Sequence, residues 1–205
     1  MLKTNIESPA NPDVLMIAKG ILKGYIKSPT IFMWRLLPRV IRVRNRINKN
    51  IPIDIRKLLA LTIAMYSMFR EKNKKDQALS LLKAVIIPVG LTKQISIFRY
   101  VEETDHSFEN LVKYSKRFKE EGPMRLNKMK IEEESGDTYK FCVQNCIFIN
   151  VFDQFGYPEL RGVFCSVDNA TYNIYSADDI IFTRGGNDRT IARGNKTCDF
   201  ICEKV

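Results

Sequence analysis

All five cysteines of this 205-residue chain fall between Cys142 and Cys202, and the first 141 residues contain none. Three of them have neighbours that give a thiol something to do. Cys146 follows Asn145, a good helix cap, so it is expected as the first residue of a short helix over 146–155 closed by Gly156. Free backbone N–H groups and the helix dipole favour an anion there. Thiols so placed fall from about 8.5 to roughly 3.5–7.5, and the thiolate is the nucleophilic form. The plain alternative is that Cys146 packs under a sheet as a small hydrophobe. Cys165 and Asp168, three apart on an expected helix, share a face. Cys198 follows a short turn and is itself followed by Asp199.

Arginines stand just before that last cysteine group. If strands 190–193 and 198–203 pair across a turn at 194–197, alternation puts Arg189, Arg193, Cys198 and Cys202 on one face. Thr190 and Asp199 then take the other. Arginine beside a thiol lowers its pKa, and its planar fork suits a carboxylate. The competing reading is a surface hairpin with solvated arginines. Cys142 and Cys202 read as structural. The single histidine, His106, sits at an expected helix start and reads as a cap-region or surface residue. A three-thiolate metal site on Cys146, Cys165 and Cys198, holding Zn or Fe, stands as an alternative, although the gaps lack the short paired spacing of zinc modules.

The elements that must position these residues change character along the chain. Helical spacing is expected over 14–26 (capped by Asp13), 30–48 (kinked, or delayed in its start, by Pro38), 54–70 and 76–87, where Pro88 and Gly90 interrupt. Further helices are expected at 91–101 and at 107–120, the latter capped by Asp105 or Ser107 and ended by Gly122-Pro123. Thereafter the period is two: strands 129–134 and 138–143 flank Ser135-Gly136-Asp137, a hairpin signal. Pro158 opens a helix to about Tyr172, and strands follow at 180–183, 190–193 and 198–203. Helices first, then an antiparallel sheet with inserted short helices, define an α+β fold.

Charge is uneven. The net charge is +10, yet residues 14–53 carry nine Lys/Arg and no acid. That segment reads as helices covering the sheet, as a basic face on an anionic membrane surface over 14–48, or as a nucleic-acid binder; no recognisable module accompanies the last reading. No apolar run reaches the roughly 18 residues of a spanning helix. The polar N-terminus lacks the apolar centre of a signal peptide, so a cytoplasmic setting with reduced thiols is expected, peripheral to the membrane if the basic helices dock there.

Three blocks in order, F-G-Y-P-E-L at 155–160, F-C-S-V-D at 164–168 and R-T-I-A-R-G-N-K-T-C-D-F at 189–200, resemble the L-2-amino-thiazoline-4-carboxylic acid hydrolase family. The resemblance spans Cys146 to Phe200, and helical sequence from Asp54 is compatible with it. It implies a 54–205 domain behind a basic helical extension over 1–53. It also implies a hydrolase acting on a C–N bond, which opens a cyclic amidine-type ring by cysteine-dependent attack at the C=N carbon. On chemistry, Cys146 is the candidate nucleophile with Cys165 or Cys198 as partner. Asp168 or Asp199 would hold the amidinium and Arg189 or Arg193 the carboxylate, with Thr190 and Glu159 as further substrate-binding positions. No cofactor is expected on this reading. The runner-up is a non-hydrolytic small-molecule-binding or metal-thiolate domain of the same fold.

Overall fold

The computed structural model describes residues 14–98, 106–121, 123–175, 178–186 and 188–205. The expected caps Asp13 and Asp105, the stop at Gly122 and the helical piece over 99–101 lie outside them. The helices are α1 (Val14–Leu22), α2 (Pro29–Arg46), α3 (Ile53–Arg70), α4 (Lys75–Ile97), α5 (Phe108–Glu121), α6 (Ile147–Gln154) and α7 (Val163–Tyr175). The strands are β1 (Met129–Glu134), β2 (Thr138–Val143), β3 (Ile180–Thr183) and β4 (Cys198–Lys204). They form one antiparallel sheet in the order β1-β2-β4-β3. The fold is α+β.

Two apolar clusters build the interior. The first gathers α1 to α4 with α6 and the first half of α7, around Leu36, Leu59, Ile63, Leu82 and Phe152. The second is largely aromatic and packs α5, the end of α7 and one face of the sheet, around Phe98, Tyr114, Tyr139, Phe141 and Phe200. Helices α4 and α7 serve both. Val89 and Val167 belong to the first cluster, Phe98 and Tyr172 to the second. The site described below lies on these two helices at the changeover.

The sequence pattern breaks α4 at Pro88 and Gly90, whereas the helix runs through both. Proline deletes one backbone hydrogen bond, but Val85, Ile86 and Val89 are buried on either side, and tertiary packing supplies most helical stability. Gly90 has a different reason to be there. A Cβ on it would stand 2.7 Å from a Val167 methyl, so only glycine lets α4 lie this close to α7. Among the described helices, α4 is the one long and apolar enough to cross a membrane by length and composition. Its buried residues instead join the first cluster.

The predicted strand at 190–193 is also absent. Ile191–Arg193 is a single 3-10 turn ended by Gly194 at φ +89°. The Thr190 carbonyl accepts from Arg193 N (3.0 Å) and Asn195 N (3.2 Å), which closes the backbone on itself. The expected pairing of 190–193 with β4 is therefore replaced: β4 pairs with β2 on one side and β3 on the other. Elsewhere the elements shift by a few residues. Pro158–Leu160 forms a separate 3-10 turn before α7 rather than its first turn, and α1 stops at Leu22.

Candidate active site

A cavity of about 610 Å³ lies among α2, α3, α4, α7 and the sheet, within the roughly 300–1,000 Å³ usual for ligand sites. Cys146, Cys165, Cys198, Asp168 and Arg184 all line it. Of the residues singled out from sequence, the fold thus brings together the three cysteines and Asp168. The other five stand elsewhere.

The reason lies in β4. Cys198, Phe200 and Cys202 join the aromatic cluster on one face of the sheet, so Asp199 points to the other face. There it accepts from the Thr197 hydroxyl at 2.8 Å and pairs with Arg189 at 3.7 Å. Arg189 and Arg193 are 63% and 65% exposed, and Arg193 is held by Asp188 at 2.9 Å. Neither arginine lies beside Cys198 as the hairpin reading had it. Thr190 is buried beneath its turn. Glu159 accepts from the Tyr66 hydroxyl at 2.6 Å and pairs with Lys75, a structural link between α3 and the turn before α7. His106 packs its ring against Tyr175 at 5.5 Å.

The three cavity cysteines differ sharply. Cys146 is the cap of α6 rather than its first residue, makes no capping hydrogen bond, and the Ile147 N–H goes instead to Asn127 Oδ1 at 3.0 Å. Burial outweighs the nearby Ile149 and Phe148 N–H groups and pushes the Cys146 thiol up to about 11. The helix start does not activate it. Cys198 is the opposite case. A hydrogen bond from Cys165 holds its thiol down to about 7 against the effect of burial. The Ile191 N–H adds a second donor at 3.1 Å, and the positive charge of Arg184 acts in the same direction. Cys165, the donor, is raised above the ordinary thiol range by that same bond and by burial. The turn that replaced the predicted strand therefore has a use: it aims a backbone N–H at the sulfur. Cys142 and Cys202 are buried, and burial raises both.

Arg184, at the end of β3, is the residue that sequence reasoning missed. Only 5% exposed, it donates from Nε to Asn169 Oδ1 at 2.8 Å and pairs through Nη2 with Asp168 Oδ2 at 3.4 Å. Its guanidinium stacks on Phe200, 3.8 Å from the ring centre. Its Nη1 is buried with no protein acceptor. A lone arginine beside Gly185-Gly186 in a turn gave no sign of burial. Asp168 also accepts from Gln94 Nε2 at 2.8 Å, and the Gln94 carbonyl receives the Thr171 hydroxyl. Burial pushes the Asp168 carboxyl up, with Arg184 and Gln94 acting against it.

Among the described residues, no three His, Cys, Asp or Glu side chains gather into a set that could hold a metal ion. Cys146, Cys165 and Cys198 share a cavity without forming such a set. All five thiols are free.

Three thiols and a buried ion pair thus converge on one cavity of an α+β chain. The sequence pattern of the L-2-amino-thiazoline-4-carboxylic acid hydrolase family matches residues 55–202, and the chain belongs to that family. The match begins within α3, leaving α1 and α2 before it. No curated protein and no solved structure matches the chain.

Proposed function

We propose that the protein hydrolyses a cyclic amidine bearing a carboxylate, of the 2-aminothiazoline-4-carboxylate type, with Cys198 as nucleophile. The observation that carries this reading is the lowered Cys198 thiol, hydrogen-bonded by Cys165 and the Ile191 N–H in the cavity that Arg184 and Asp168 line. The Cys198 thiolate adds to the C=N carbon. The ring C–S bond, rather than a C–N bond, then breaks, and its electrons and a proton leave as the substrate thiol, giving an isothiourea on Cys198. One water adds to that carbon and expels the Cys198 thiolate, so the product is a ring-opened urea with a free thiol. Asp168 holds the amidinium, the role expected of it or of Asp199, and Arg184 takes the carboxylate, the role expected of Arg189 or Arg193. Cys165 positions and stabilises the attacking sulfur. The direct test is turnover of 2-aminothiazoline-4-carboxylate by the wild type and by Cys198→Ser. The wild type should release a free thiol with time and the variant should not. Equal turnover by the two would remove Cys198 from the chemistry.

A second reading concerns the basic helices. We propose that α2 rests on an anionic membrane surface. Ile31, Trp34, Leu37 and Ile41 are 42–75% exposed, and at 3.6 residues per turn they form one stripe along the helix. Arg42 and Arg46 flank that stripe on one side and Arg44 on the other. An apolar stripe between basic edges is the make-up of an interfacial helix. Arg35 and Arg39 pair with Glu71 and so tie the same helix to α3.

A further inference from the structure

The cavity is much larger than a single-ring amino acid requires. At about 30 Å³ per water, its volume of about 610 Å³ equals on the order of twenty waters. Its composition is divided. Gln94, Asp168, Arg184 and the three thiols come from α4, α7, the start of α6, the end of β3 and β4. The walls from α2 and α3 supply Leu37, Val40, Ile41, Leu58 and Leu61. The charged lining residues on these two helices are Arg44, Asp54 and Lys57. Asp54 and Lys57 are exposed and Arg44 half-buried, so they belong to the rim. Leu37 and Ile41 also belong to the exposed apolar stripe of α2, which makes the cavity wall continuous with that stripe.

A polar pole with one orphaned arginine N–H and long aliphatic walls has the chemistry of an amphiphile site. Resting on the placement of the substrate carboxylate at Arg184, we infer that the ligand is a carboxylate with an apolar tail. The carboxylate meets the Arg184 guanidinium, and the tail lies along Leu58, Leu61 and Val40 toward Leu37 and Ile41. The preferred substrate of this enzyme is then a ring carrying an alkyl or acyl substituent, and the bare ring is turned over with a higher KM because it leaves the aliphatic walls uncovered. Each methylene removed from water against these walls raises affinity about fourfold.

Calorimetric titration of the full chain with butanoate, octanoate and dodecanoate, each below its micellar concentration, reads this directly. Dodecanoate should bind at one molecule per chain, and affinity should rise about fourfold per methylene from octanoate onward. Arg193→Ala, at an exposed position outside the cavity, should keep that series intact. Arg184→Gln should weaken all three ligands by about tenfold or more while keeping the dependence on chain length. A series flat in chain length, no saturable dodecanoate binding, or uptake of several molecules per chain on the exposed stripe would each overturn the tail site. A chain-length series that survives Arg184→Gln without loss would retain the tail but remove the carboxylate anchor. Loss of ring hydrolysis in the wild type would bear on the chemistry alone. Leu58→Trp, which fills the aliphatic wall, should weaken dodecanoate far more than butanoate, and the butanoate value shows that the variant is folded.

Discussion

The guanidinium carbon of Arg184 lies 3.8 Å above the ring of Phe200, while its Nη2 reaches Asp168 Oδ2 at 3.4 Å. Residues from β3, β4 and α7 thus meet in one stack, and Phe200 stands two residues beyond Cys198 on the same face of β4. The arrangement desolvates an arginine, pairs it once, and sets it where its charge lowers the neighbouring thiol.

Removing this arginine should therefore be costly in a way that depends on pH. Arg184→Gln leaves Asp168 as a buried carboxylate without its cation, a change worth about 3 kcal/mol. The Asp168 carboxyl already lies above its ordinary value, and loss of Arg184 raises it further. A carboxyl whose folded pKa exceeds its unfolded one binds its proton more tightly in the folded state. Stability then falls as pH rises from the ordinary carboxylate range through the raised value. Thermal unfolding of the variant should show a larger deficit near about pH 8 than near about pH 5; an equal deficit at both would mean that Asp168 is not left charged. Arg189→Ala and Arg193→Ala, at exposed positions outside the cavity, should each change stability by less than about 0.5 kcal/mol and leave turnover near the wild-type value.

The thiols should separate by pH. Alkylation of Cys198 by iodoacetamide should rise through a midpoint of about 7, as the thiolate forms, and then level off. Cys146 should stay slow until about 11. Cys165→Ala removes the donor that stabilises the Cys198 thiolate, so the midpoint should move up toward the ordinary value of about 8.5. Peptide mapping of the alkylated protein reads this residue by residue. An unchanged midpoint in Cys165→Ala would show that the two sulfurs do not share a proton. Cys198→Ser should lower turnover by at least ~10³-fold, in line with loss of a nucleophile.

The close approach of α4 to α7 is open to a simpler test. Gly90→Ala puts a methyl against the Val167 side chain and should cost about 1–3 kcal/mol through overpacking. Val167→Ala in the same chain relieves the clash, so the double variant should be more stable than the two single losses predict, by about 1 kcal/mol. Urea unfolding of the four proteins gives that coupling. Additive losses would mean that the helices are not in contact there.

Trp34 is the chain's only tryptophan and is 75% exposed, so it reports on the α2 stripe without labelling. With vesicles containing phosphatidylserine, its emission should shift to shorter wavelength and the protein should co-sediment. Both effects should weaken as salt screens the basic residues, each worth about 1 kcal/mol near such a surface. Leu37→Ser with Ile41→Ser should reduce co-sedimentation and leave the fold intact. No shift at low salt would remove the membrane from the account of α2.

The sequence by itself determined more of the architecture than of the site. The hairpin over 129–143 was legible because period-two alternation and a Ser-Gly-Asp turn are local signals. The helices α2, α3 and α5 were legible because a single apolar face repeats every three to four residues. The family blocks marked Cys165, Asp168 and Cys198, and an expected helix start marked Cys146; the fold does gather these four into one cavity. Only the tertiary structure decided which thiol is held below the ordinary range. A helix start argues for Cys146 locally, but its burial raises it, whereas the partners that lower Cys198 come from α7, from β3 and from a turn seven residues upstream. The strand expected at 190–193 failed for a related reason: its backbone closes on itself and donates to a sulfur instead of a neighbouring strand. Arg184 was invisible because burial of an arginine depends on Asn169, Asp168 and Phe200, which lie 15 to 16 positions away along the chain on either side. Desolvation and pairing are properties of the assembled neighbourhood, and no spacing within one segment encodes them.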